Sequence, residues 1–156
     1  MSEGREIIVL TLVEAAKQHG FKGIHGRNYY RVHQETICLI NLQRSAWGPQ
    51  FYVNAAIWFT RFGPERRPKE NKCHIRWRVD SLMPDHEAKL FSQALDLEHP
   101  LPDAQRTSRI IIGVNAFGFK LLDKCETERS ALQIADDAGT HVMVQLKARE
   151  PEGNLA

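Results

Sequence analysis

The sequence predicts an α+β fold: a mainly antiparallel sheet of four or five strands, with helices packed on one face. Three observations lead there. Strand-like runs follow one another through residues 28–79 with links too short for parallel crossovers. Within the longer runs, apolar residues recur at every second position. Before and after this block, apolar residues recur at helical spacing instead.

Residues 5–19 read as an amphipathic helix, with Ile8, Leu12, Ala15 and Ala16 on one stripe and Gly20 placed to end it. "FKGIHGR" reads as a turn-rich lead into a strand. Three strands are expected at 28–33, 36–45 and 50–60, with "AWGP" turning the chain between the last two. The segment "RFGPERRPKENK" at 61–72 carries two prolines and many charges, and it reads as an exposed loop. A fourth strand follows at 73–79. It would put Cys73, Ile75, Trp77 and Val79 on one side and His74, Arg76, Arg78 and Asp80 on the other.

The second half reads as helical. A helix is expected over 84–97, entered through Pro84 and Asp85, followed by a loop at 98–105. Residues 106–125 place Ile110, Val114, Phe117 and Leu121 on one stripe. Gly113 and Gly118 weaken that helix, each costing about 1 kcal/mol relative to alanine. Thr127 fits the N-cap of a helix over 127–139, and 140–147 is a candidate last strand. One domain is expected over 1–150, with a frayed tail at 151–156.

Composition narrows the function classes. A chain of 156 residues, 42% hydrophobic and 26% charged, suits one soluble domain. A net charge of +2 falls well short of the basic balance of a dedicated nucleic-acid binder. Cys38, Cys73 and Cys125 are widely spaced, and no CxxC occurs. The N-terminal apolar run lacks a basic lead and a cleavage site, and no stretch approaches the length of a membrane span. A reducing cytoplasm fits these features, and no cofactor is implied. The seven histidines form no HExxH or other ligand spacing, so no metal is expected. GxSxG, GxxxxGK[ST] and GxGxxG are likewise missing from the sequence.

The order of the pieces is informative: a helix ending in "HGFK", then "YYRV", "INLQRS", "FYVNAAIW" and "CHIRWRVDSL". It resembles the bacterial family known as domain of unknown function 4304. The later "FGFKLLDKCETERSAL" is similar to that family's paired C-terminal helices, so the resemblance runs over roughly residues 8–135. It implies the fold and brings no established activity with it.

One sheet face stands out. If helices cover the apolar rows, the opposite face gathers Asn41, Gln43, Tyr52, Asn54, Trp58, His74, Arg76 and Arg78. Tyr29 and Arg31 join it if the first strand is in register. Asparagine is a poor strand former, yet Asn41 and Asn54 both fall mid-strand. Such a face reads as the solvated side of a half-buried sheet or as a ligand-binding surface. The reading carried forward is a non-enzymatic module that binds a protein partner, in an immunity or regulatory role. An enzyme or small-ligand protein acting on an anionic substrate at His74, Arg76 and Arg78 is the rival. Weak single-stranded nucleic-acid binding, through the basic 61–72 loop and its aromatic neighbours, comes third.

Overall fold

A computed structural model describes residues 3–151. It is an α+β fold with a six-stranded antiparallel meander whose spatial order is its sequence order. The strands are β1 (Gly23–His25), β2 (Asn28–Val32), β3 (Thr36–Arg44), β4 (Phe51–Phe59), β5 (Ile75–Arg78) and β6 (Met143–Val144). The short β1 raises the count above the expected four or five, and β6 is the candidate last strand. Three residues of the turn-rich lead pair back on β2, and two residues of the candidate last strand close the β5 edge. The expected tail lies outside the described residues apart from Pro151.

Helix α1 (Glu3–Gln18) buries Ile8, Thr11, Leu12, Ala15 and Ala16. It stops where Gly20 takes φ +78°, a conformation cheap only for glycine. Helix α3 (Asp103–Val114) packs against both α1 and α2 (Asp85–Ala94) on one sheet face. At Gly113 a Cβ would lie 2.3 Å from the Phe91 ring, so this glycine sets how closely α2 and α3 approach. A π-turn at Asn115–Phe119 then leads into the short α4 (Lys120–Leu122). The extra residue of the π-turn rotates the stripe. Phe119 and Leu122 are therefore buried, where the uninterrupted pattern pointed to Phe117 and Leu121. Helix α5 (Glu128–Ala138) begins at Thr127 with a reciprocal capping box to Ser130.

Directly paired residues of antiparallel strands share a face. Cys38, Ile40, Leu42, Val53, Ala55, Ile57, Ile75 and Trp77 thus line up under the helices as the main core. Trp77 is 3% exposed, and its Nε1 donates to the Phe117 carbonyl at 2.9 Å. Tyr29 and Arg31 pair with Ile40 and Cys38, which puts them on this side and not on the polar face. Arg31 reaches Asp123 at 2.7 Å and stacks over Phe21.

The opposite face is only half polar. Tyr30, Ile37, Leu39, Ala56, Trp58 and Cys73 form a second, smaller core there. Its cover is the segment expected to be a solvated loop. Pro68 is buried, and the Tyr30 hydroxyl donates to the Pro68 carbonyl at 3.1 Å. Residues 63–72 therefore lie across the sheet as a strap, with charges outward and one proline inward.

Candidate functional site

Six of the eight residues expected on the polar face lie together beyond the strap. Asn41, Gln43, Tyr52, Asn54, Arg76 and Arg78 come from β3, β4 and β5, three neighbouring strands of the sheet. Strand register does the gathering: Asn28, Asn41, Asn54 and Arg78 stand opposite one another across four strands.

Their side chains form a directed chain of amides. Asn54 Nδ2 donates to Asn41 Oδ1 at 3.0 Å and to Gln43 Oε1 at 2.9 Å. Asn41 Nδ2 donates to Asn28 Oδ1 at 2.7 Å, and Asn28 Nδ2 to the His25 carbonyl at 3.3 Å. Asn54 is 7% exposed, so these bonds replace the water its amide has lost. That answers why asparagine sits mid-strand here: each amide satisfies its neighbour across the ladder. The chain begins at Asn54 Oδ1, the acceptor end, with Arg78 directly across on β5.

The two arginines differ. Arg76 is held by Glu70 of the strap, with Nε–Oε1 at 3.0 Å and Nη2–Oε2 at 3.3 Å, a two-point pair. Arg78 is exposed, with its guanidinium 3.9 Å over the Tyr52 ring; it acts on the Asp80 carboxylate through its charge but makes no ion pair among the described residues. Gln43, Asn54, Arg76 and Arg78 line a cleft of about 630 Å³ together with Glu70, Trp77, Ser81, Thr140, His141 and Met143. Sequence reasoning missed Glu70 and His141, which arrive from the strap and from the chain after α5. Asn28 was missed too, although extending the Asn41 position one strand further would have found it.

Trp58 and His74 are corrections. Both were placed on an open polar face; Trp58 is 9% exposed and His74 is fully buried. The strap covers this end of the sheet, and the β5 backbone bends before Ile75, so strict alternation fails at 73–74. Cys73 consequently joins the second core and not the Ile75 row. His74 packs between Trp58 and Phe62, with ring centroids 4.4 and 4.5 Å away. Its Nδ1 accepts the Phe59 N–H at 2.9 Å, where the ladder would otherwise use a carbonyl. Burial holds its pKa down at about 4, with Lys147 and Arg61 adding to the effect, so the ring is neutral. An anionic substrate touching His74, Arg76 and Arg78 together is therefore not what this arrangement offers.

All three cysteines are free and buried. Burial pushes the Cys38 thiol up to about 11 and the Cys73 thiol up to about 12, far from a reactive thiolate. No group of three or more His, Cys, Asp or Glu able to hold a metal occurs among the described residues. No helix among them is long and apolar enough to cross a membrane.

No curated protein and no solved structure matches the chain. The profile of the family described as Domain of unknown function (DUF4304) matches residues 12–101, more than half of the chain and the whole of β1–β5 with α2. The protein belongs to that family.

Proposed function

We propose that this protein is a binding module that engages a protein partner through the cleft beside the strap, and that it recognises an acidic side chain there. One observation carries the reading: exposed Arg78 feels the charge of Asp80 but makes no ion pair among the described residues, whereas its strand neighbour Arg76 is held by Glu70. Tyr52 holds its guanidinium flat, which orders a flexible side chain before any partner arrives. Asn54 Oδ1 stands directly across, an acceptor suited to an N–H flanking the bound carboxylate. The β3–β4 hairpin that carries Gln43 and Tyr52 ends in a loop whose Trp47 is 97% exposed. Tryptophan, tyrosine and arginine are the residue types that dominate the energetics of protein interfaces. An immunity or regulatory role would suit such a module.

The test is affinity purification with the wild-type protein and with Arg78→Ala, followed by calorimetry on the purified partner. Losing one charge-assisted contact costs about 1.5–3 kcal/mol, or roughly 10- to 150-fold in affinity. A partner that binds Arg78→Ala and Trp47→Ala as tightly as wild type would show that this face is only solvated.

A further inference from the structure

The outer side of the helix layer carries apolar surface. α3 is the middle helix of that layer, in contact with α1 and with α2. A helix buries one stripe, and Ile110 takes the inward place with no exposure. The next two residues are isoleucine as well, 39% exposed at Ile111 and 65% at Ile112. Helix propensity does not explain them, because a β-branched side chain is stiff in a helix and an unbranched one suits an exposed position better. Leu10 on the adjoining α1 is 63% exposed. Among the described residues, these three are the only large apolar side chains exposed on α-helices.

Between α2 and α3 the same surface dips into a small pocket of about 100 Å³. Its floor is Met83, Phe91 and Gly113, all buried. Its two walls repeat one design. α2 supplies Glu87 and Leu90, and α3 supplies Arg109 and Ile112. Each pair is a charge followed three residues later by a branched aliphatic on the same side of its helix. The two charges do not pair with each other. Arg109 Nη1 donates to Gln93 Oε1 at 3.2 Å, and Glu87 makes no ion pair among the described residues. Small-molecule sites enclose roughly 300–1,000 Å³, so this pocket suits a single aliphatic side chain instead.

We propose that this face docks a second copy of the chain in a twofold dimer. Charge complementarity selects that occupant. In a twofold interface one patch faces itself, so it must carry both signs. A twofold axis that bisects the line from Glu87 to Arg109 sets Glu87 of one copy against Arg109 of the other, and does so twice. The aliphatic side chains of both copies then meet between the two ion pairs. An apolar centre with charges at its rim is the ordinary anatomy of an interface. A net charge of +2 per chain opposes the approach only weakly. Asn41, Asn54 and Arg78 lie on the opposite face of the sheet, so the dimer leaves that face of each copy open.

The experiment is analytical ultracentrifugation of the full chain from low-micromolar to several-hundred-micromolar concentration, with circular dichroism to confirm that each variant is folded. Wild type should pass from monomer to dimer across this range. Ile112→Asp should weaken the dimer about tenfold or more, because the twofold axis counts each substitution twice. Arg109→Glu sets acid against acid at both ion pairs, and Glu87→Arg sets base against base. Each alone should weaken the dimer about tenfold. Glu87→Arg combined with Arg109→Glu exchanges the signs and should bring the affinity back to within about threefold of wild type. Arg78→Ala should dimerise as wild type does, which separates this face from the cleft. A wild-type chain that stays monomeric at every concentration would overturn the proposal and leave the pocket to a side chain of a different protein. A dimer indifferent to Ile112→Asp, or a double variant no tighter than the two single ones, would overturn it as well.

Discussion

The two ends of the sheet's second face share one pattern of alternation and end in different environments. At the strap end, Tyr30, Leu39, Ala56 and Trp58 are dry, and a histidine is locked in among aromatic rings. At the other end, asparagines of the same strands bond one another beside an exposed arginine. The difference comes from what lies above the sheet: a segment of chain in one case and solvent in the other. Alternation fixes which way a side chain points, and cover decides whether that direction is core or surface.

The comparison can be tested first against the helix side. Trp77→Ala should cost about 3–5 kcal/mol by urea unfolding, because it removes a buried ring and its bond to Phe117. An unchanged midpoint would mean the faces are reversed. Next comes pH, which reads the strap end. The His74 pKa falls to about 4 in the folded protein, against about 6.5 in the unfolded chain. The unfolded state therefore binds the extra proton between these values. The contribution of His74 is complete above the unfolded pKa and is lost as pH falls through the folded one. The loss should be on the order of 3 kcal/mol. In His74→Phe this part of the pH dependence should vanish, as read from urea midpoints between the two pKa values. A slope equal to that of wild type would mean the ring is open to water.

The amide end should respond less. Asn54→Ala strands its partners in a half-wet setting and should cost about 1–2 kcal/mol of stability. The smallest effect belongs to Arg78→Ala, expected within about 0.5 kcal/mol of wild type in stability while partner binding falls. If Arg78→Ala destabilises more than Asn54→Ala, the arginine is structural and the cleft loses its proposed recognition element.

Much of this was legible in the sequence, for reasons that differ by element. The long strands β3 and β4 could be read because one row of each is continuously apolar. Gly20 and Thr127 could be read because their chemistry suits a helix end. The shared face of Asn41, Gln43, Tyr52, Asn54, Arg76 and Arg78 was legible because side chains alternate along a strand. The strap was not: a charged, proline-bearing segment looks solvated, and nothing local marks Pro68 as the residue that turns inward. His74 was misplaced for the same reason, with the backbone bend at 73–74 adding to it. The π-turn after α3 was invisible because one inserted residue leaves both halves of the stripe helical in period.

The sheet's outer margins carry one more consequence. β6 pairs with Ile75 and Arg76 alone, so the half of β5 holding Trp77 and Arg78 is an open edge. Open edges invite pairing with other chains, and charged side chains are one way to discourage it. The exposed Arg78 places a charge of that kind on this edge. A variant in which Arg76 and Arg78 both become neutral and β-prone would keep its core and present a flat apolar edge to its neighbours.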